Sequence, residues 1–424
     1  MISYVNALNI LQETALQIPP RETELPLQSA VDSILSRSII GTEDVPHFDN
    51  SAMDGFALRS SSTLNASVES PKRLYVSALI AAGDDSGLSV GSEKMEAIEI
   101  MTGAPLPKGQ FDSVVRVEDT EILPAADGMG KEILIRKPVR PQENVRARGS
   151  DFRGGTTIAT AGIVVDPEYL MAFASLGIAN VWVRKRLKVG VLSTGKELVR
   201  VGSERIHGAQ IWNSSGPFLL AALNKLGCDA VDLGTIDDDP EAFSQVVRRG
   251  LGDGVDVFLG TGAVSMGKHD FVVEALRDLG ARIRFHKVAI RPGKPICFAE
   301  FVEERVAFFG LPGNPISTAV GMRFFVLPFL RARLGLMPEK GMSASLRNEV
   351  KKPEGLRCFY KGRAGAGPDG LQVEVLQGQA SYIVKSLLEA NCWVVLEESG
   401  SQLPVGSRVE ILPLRQSFGK EITS

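Results

Sequence analysis

Residues 187–193 read LKVGVLS, a nearly unbroken apolar run, and the segments that follow it decide the fold. An amphipathic helical pattern comes next at 215–226 (SGPFLLAALNKL), then a strand pattern at 231–236 (VDLGTI). A helix at 240–250 and a strand at 255–260 (VDVFLG) repeat the alternation. Residues 270–279 read as helix, 283–289 and 306–309 as strands, and a further helix follows Asn314. Strands alternating with helices of this length predict a parallel sheet with helices on both faces.

Outward from this centre the pattern changes. Residues 46–139 set short apolar runs (74–79, 96–101, 113–117, 132–136) among Gly, Asp and Ser clusters, which is a turn-rich β pattern. Residues from about 340 do the same (344–350, 371–376, 393–396, 408–412) and predict a small β-barrel or sandwich. Residues 1–45 read as helix. Ser3 caps a first helix with Val5, Leu8, Leu11 and Leu16 inward, Pro19-Pro20 stop it, and 27–35 forms a second with Leu27, Ala30, Val31, Ile34 and Leu35 on one face. Residues 140–178 are irregular, then helical from Pro167. The fold class is α/β plus β-rich domains: a central parallel-sheet domain, a β-rich insert and a C-terminal β-barrel.

Composition narrows the function. The 47 basic and 50 acidic residues leave a net charge of −3 with no long like-charge block, which excludes a dedicated nucleic-acid binder. Cys228, Cys297, Cys358 and Cys392 lie far apart without a CxxC pair, so they read as thiols of a reducing compartment and not as a zinc or disulfide framework. No basic stretch precedes an apolar run at the N-terminus, and the longest uncharged run, 169–183, is too short to span a bilayer. A cytoplasmic protein without a membrane segment is expected.

Several motif matches fail on one residue. Residues 190–197 (GVLSTGKE) carry Glu197 where a P-loop needs the hydroxyl that holds Mg²⁺. The SxxK match 193–196 lacks its partner motifs. Gly260-Thr261-Gly262 is followed by Ser265 where a dinucleotide fingerprint has its third Gly. His47, His207, His269 and His286 are scattered, with no ligand spacing.

Eight loops share a different composition: Gly for close backbone approach, Ser or Thr for hydrogen bonding, and charge. They hold Asp54 (50–57, NSAMDGFA), Thr102 (101–107, MTGAPLP) and Asp151 (148–155, RGSDFRGG). Next come Ser193, Thr194, Gly195 and Glu197 (193–198), Asp238 (237–239), and Gly260, Gly262, Ser265 and Asp270 (260–270, GTGAVSMGKHD). The last two hold Arg291 with Lys294 (289–295, AIRPGKP) and Pro312, Gly313 and Asn314 (310–315, GLPGNP). Each has a plain structural reading: Asp54 capping its own turn, Asp151 in a surface ion-pair cluster, one of 237–239 and Asn314 capping helices. Four of the loops nevertheless fall at strand C-termini of one sheet, the edge where open α/β sheets bind ligands. Amide nests, two cations and several carboxylates suit a phosphoanhydride, with Mg²⁺ between acid and phosphate oxygens.

The motifs DVPHFDNSAMDGFA (44–57), IMTGAPLPKG (100–109), ENVRARGSDFRGG (143–155), STGKEL (193–198), VAIRPGKP (288–295) and GLPGNP (310–315) stand in the order of the molybdopterin molybdenumtransferases, the family of the gephyrin E domain, which this chain resembles over nearly its whole length. The resemblance implies an elongated homodimer of four-domain subunits: 1–45 with 140–178 as a discontinuous domain, 46–139 as the insert, 179–330 as the molybdopterin-binding α/β domain, and 331–424 as the barrel. It implies Mg²⁺-dependent insertion of molybdate into adenylylated molybdopterin with release of AMP, in a cleft shared between subunits. Molybdopterin adenylyltransferase and molybdoenzyme acceptors are the implied partners.

Carried over residue by residue, the resemblance makes Asp54, Thr102, Asp151, Glu197, Asp238, Asp270, Lys287 and Arg291 catalytic. Of these, Glu197, Asp238, Asp270 and Asp54 would hold the metal. Ser193, Thr194, Gly195, Gly260, Gly262, Ser265, Lys294, Pro312, Gly313, Asn314, Lys361 and Ser381 would bind substrate or phosphate. The chain departs from the family at Arg291 (usually Lys), Ala263 (the second of two Gly), Lys196 (an acid), Ser215 (Asn) and Lys361 (Arg). The departures at 196, 263 and 291 support one alternative: an altered paralogue that carries the cofactor or serves as a scaffold.

Overall fold

In the computed structural model, which describes residues 1–85, 95–107, 111–125, 130–203, 205–262 and 271–414, the central run is the strand Lys188–Thr194, buried from Val189 onward. It pairs in parallel with Asp229–Ile236 on one side and with Val257–Thr261 on the other. Val257–Thr261 pairs in parallel with Val306–Leu311. Cys297–Phe301 and then Arg282–His286 extend the sheet antiparallel. The expected parallel sheet is there in four strands, and two antiparallel strands at one edge make the six-stranded sheet mixed. The cause is the short connection at 302–305: it turns the chain back as a hairpin and leaves no room for a crossover helix.

The helices form where apolar spacing and caps coincide. Pro240–Gly252 turns Phe243, Val246, Val247 and Gly250 inward, and the Asp239 carboxylate accepts the Glu241 N–H at 2.9 Å. Ser215–Lys225 buries Leu219 and Leu223. Pro315–Gly321 continues through a π-helical turn, Met322–Val326, into Leu327–Arg333.

The chain divides into two units by its internal contacts. The first takes in Met1–Arg37, Gly162–Asp166 and the chain from Asn180 onward, and so contains the α/β sheet and the C-terminal barrel. The barrel strands are Met342–Leu346, Arg357–Gly367, Gly370–Val375, Cys392–Leu396 and Arg408–Pro413, closed by pairing of Arg357–Gly367 with Cys392–Leu396. The second unit, Ser38–Ala161 with Pro167–Ala179, has its own six-stranded sheet, ordered Ser113–Arg116, Gly55–Leu58, Glu96–Ile100, Lys72–Ile80, Lys131–Ile135, Thr120–Pro124.

The N-terminal reading needs correction. Ser3 does cap Tyr4–Leu16, accepting the Asn6 N–H at 3.1 Å. Tyr4, Ala7, Leu11 and Ala15 are the buried face, however, and Val5 and Leu16 are exposed. The second helix does not form. Glu22–Pro26 is a strand paired with Asn180–Arg184, and only Leu27–Ser29 makes a short 3₁₀ turn. The backbone of 32–35 is taken by long-range bonds: Asp32 N–H to Val165 O, Leu35 N–H to Ile163 O, and Arg184 N–H to Ile34 O. Asp32 itself sits at φ +62°, which no helix admits.

Candidate active cleft

Strand order reverses between Lys188–Thr194 and Val257–Thr261, and a crevice opens outside the carboxyl ends of strands at such a switch point. Here it is a cleft of about 970 Å³. Its floor is knit by hydroxyls. Thr194 Oγ1 donates to Thr261 O at 3.1 Å, and Thr261 Oγ1 donates to buried Ser193 Oγ at 3.2 Å. Gly262, at φ +92°, donates its N–H to Leu311 O at 3.1 Å. A Cβ on Gly262 would overlap the Thr194 carbonyl oxygen. Gly260 stays inside its strand against the Phe308 ring and is not on the cleft wall.

The next loop presents the acid. Gly195, at φ +146°, donates its N–H to Ile236 O at 3.0 Å, and its carbonyl accepts the Leu198 N–H at 3.0 Å. That turn folds Glu197 back over Gly195, so close that a Cβ would stand 2.7 Å from a carboxylate oxygen. Glu197 lines the cleft, exposed, and no described side chain or amide bonds its carboxylate. Lys196 is exposed but off the wall, so the departure at 196 puts its charge elsewhere. Asp238, half-buried just beyond the end of Asp229–Ile236, is also off the wall, and Asp239 is the acid that caps the helix.

The cations come from a turn tied to the barrel. Ile290–Arg291 pairs in parallel with Arg357–Cys358, and Gly293 at φ +101° turns the chain so that Arg291 and Lys294 both line the cleft. Lys287, at φ +74°, is not on the wall. Opposite strand ends supply Pro312, Gly313 and Asn314. Thr318 Oγ1 donates to Pro312 O at 2.7 Å, and Ser215 Oγ to Gly313 O at 3.4 Å. Asn314 occupies the N-cap position without a side-chain cap bond, which leaves its amide to the cleft.

Lys361 corrects an expectation. It does not touch the cleft: it is fully buried, and its ammonium donates to Gly378 O at 2.7 Å and Ile383 O at 3.0 Å. Burial pushes its pKa below the ordinary lysine value. It acts on the wall through the loop that carries Ser381, whose carbonyl accepts the Ile316 N–H at 2.9 Å. Ser265 and Asp270 lie outside the described residues, as does Ala263.

In the second unit, Asp54 does not cap its own turn. Its carboxylate accepts the Thr102 N–H at 2.7 Å and hydroxyl at 3.0 Å, which joins two of the motif loops and holds its carboxyl below the ordinary range. Asp151 is exposed, with its N–H on Val45 O at 3.0 Å. Arg148 pairs with Asp44 at 2.8 Å and not with Asp151. The Gly154 N–H and Arg148 hold Asp44 below the ordinary range.

Among the described residues, no group of three or more His, Cys, Asp or Glu is placed to hold a metal ion. Sequence reasoning missed Asn213, Trp212 and Tyr382, which all line the cleft. Asn213 accepts the Gly216 N–H at 3.0 Å and donates to Thr235 Oγ1 at 3.1 Å. An Asn two residues before a helix was the available signal for it.

Comparison with known proteins completes the picture. Residues 2–177 match the MoeA N-terminal region (domain I and II), 190–332 a probable molybdopterin binding domain, and 343–414 the MoeA C-terminal region (domain IV). A molybdopterin molybdenumtransferase of Synechococcus elongatus is 38% identical, covering 98% of this chain and 100% of that protein. One from Haemophilus influenzae is 34% identical, covering 95% and 97%. The crystal structure of a molybdopterin biosynthesis MoeA protein from Pyrococcus horikosii superposes with a TM-score of 0.83 at 30% identity, covering 98% of this chain and 100% of that one.

Proposed function

The chain belongs to the MoeA family of molybdopterin molybdenumtransferases, and from that premise we propose how its cleft works. It is a transferase of molybdenum cofactor biosynthesis. In our reading it inserts molybdate into adenylylated molybdopterin and releases AMP. The observation that carries this is the placing of one carboxylate, Glu197, with no partner among the described residues, in the same cleft as Arg291 and Lys294.

Mg²⁺ fits the donor set. It takes oxygen ligands, commonly one or two carboxylates completed by substrate phosphates and water, so a three-acid cage is not required. Glu197 would hold it from the wall, with substrate phosphates and water completing its shell; Asp238 stands off the wall, and Asp270 and Asp54 are acids of the family pattern alone. When bound, the ion would neutralise charge on the phosphoanhydride. Arg291 would grip phosphate oxygens through its fork, and Lys294 would add a point charge. Gly262 lets the backbone come close, and Thr194, Pro312 and Gly313 shape the floor. No covalent enzyme intermediate is needed, because positioning and fixed charge supply the rate.

A carrier that has lost the chemistry is not favoured. Of the departures that suggested it, Lys196 lies off the wall and Arg291 keeps its charge on it. We also infer a cytoplasmic homodimer that takes its substrate from a molybdopterin adenylyltransferase and passes its product to molybdoenzymes. The test is AMP release from adenylylated molybdopterin and Mg²⁺, with and without molybdate. Molybdate-dependent release is expected, and E197A should abolish it with the fold intact. Undiminished release from E197A removes the assignment.

A further inference from the structure

Trp212 has no part in the chemistry above. It lies in the two-residue strand Ile211–Trp212, which pairs in parallel with Leu198–Val199. Both ends of this strand are pinned: Ile211 N–H to Glu197 O and Asn213 N–H to Val199 O, each at 2.8 Å. The Asn213 side chain fastens the post to the Gly216 N–H and the Thr235 hydroxyl. On this rigid post the indole is 39% exposed and lines the cleft beside Ile211, itself 53% exposed.

The other two tryptophans are satisfied within the fold. The Arg37 guanidinium lies 3.9 Å from the Trp182 ring centroid, and buried Trp393 meets Phe324 edge-on at 5.9 Å. Among the described residues Trp212 has no ring neighbour, no cation over its face and no acceptor for its N–H. With Ile211 it forms an apolar stretch on the wall of the cleft, the kind of place where ligand pockets carry their aromatic side chains. Apart from Tyr382, it is the one aromatic side chain among the described residues of the cleft wall.

We propose that Trp212 is the stacking seat for a fused nitrogen heterocycle of the substrate. This rests on the reading of the cleft as the adenylylated molybdopterin site. The labour then divides along the wall: Arg291 and Lys294 take phosphates, Glu197 faces the metal, and the indole takes a flat ring. Two rings of the substrate share that chemistry, the pterin and the adenine. Stacking on an aromatic side chain depends on a π-face and not on a hydrogen-bond code, so the wall alone admits either.

The experiment titrates the full chain with 6-hydroxymethylpterin and, separately, with AMP, by calorimetry and by tryptophan fluorescence. At least one ring is expected to bind the wild type and quench indole emission. W212A should raise the Kd of that ring about tenfold, near the low end of the ~1–3 kcal/mol range for such stacks. W212F should recover most of the affinity and lose the quench. The ring whose affinity falls in W212A identifies the occupant. If W212A binds every ring that the wild type binds with an unchanged Kd, the seat is wrong and the cleft reading stands. If the wild type binds neither ring, the cleft reading falls and takes the seat with it.

Discussion

Replacing Lys361 with methionine tests how the barrel wall of the cleft is held in place. Methionine keeps an unbranched side chain of similar length and removes the charge and its donors. Of the two carbonyls now bonded to the ammonium, Gly378 O keeps the Ser386 hydroxyl at 2.9 Å. Ile383 O is left with the same hydroxyl at 3.5 Å, which is too long to replace a bond of 3.0 Å. One half-buried carbonyl thus loses its good partner, at up to ~1–3 kcal/mol. Relief from burying an ammonium offsets part of this. A net local loss of about 1.4 kcal/mol is a tenfold rise in the opening constant of the 376–383 loop.

Native-state hydrogen exchange reads that constant. The amides of Ile316, bonded to Ser381 O, and Leu376, bonded to Lys361 O, should exchange about tenfold faster in K361M. The pH dependence supplies a second check. Burial lowers the folded pKa of Lys361 below the ordinary value of 10.5. Between the folded and unfolded values the unfolded chain binds more protons, so wild-type stability relative to K361M rises as pH climbs through that window. Unchanged exchange, or a difference that shrinks with rising pH, would refute the reasoning.

The other predictions concern the floor and the second unit. Gly262→Ala puts a Cβ into the Thr194 carbonyl in a left-handed backbone and should destabilise by at least about 2 kcal/mol in denaturant unfolding; wild-type stability would contradict it. T318V removes the donor to Pro312 O and should raise KM for adenylylated molybdopterin more than it lowers kcat, with T318S restoring it; equal loss in both variants would mean the hydroxyl is not what matters. Asp54 should titrate below 3.8 by NMR, and T102V, which removes the hydroxyl and keeps the larger backbone bond, should move it part of the way back; the clamp contributes above the unfolded value and is lost as pH falls through the folded one, so an unmoved midpoint in T102V counts against the hydroxyl's share.

What could be read in the sequence was what local rules govern. Apolar spacing placed Pro240–Gly252, and the acids at 237–239 before Pro240 marked a cap without saying which of them makes it. Gly195 within 193–198 and the two glycines of 310–315 reported backbone that had to bend or approach closely. What could not be read was set by partners distant in sequence. Glu22–Pro26 and 32–35 carry helix-compatible spacing, but residues 163–165 and 180–184 claim their backbone groups. Lys361, which the resemblance puts among the substrate contacts, is enclosed by the fold beneath Gly378 and Ile383. Trp212 sits in no motif, and only its exposed position on a pinned strand singles it out.

The pairing of Glu22–Pro26 with Asn180–Arg184 also sets a schedule for synthesis. The ribosome must add roughly 140 residues after Arg37 before the partner strand exists, at ~5–20 residues per second, so the N-terminal segment waits on the order of ten seconds unpaired. Within that interval the whole of Ser38–Ala161 emerges with its own sheet and core. The six-stranded sheet of the second unit can therefore pair while the N-terminal segment still waits. The α/β sheet and the cleft at its edge can form only afterwards, so a chain released at that stage would carry that sheet and no cleft.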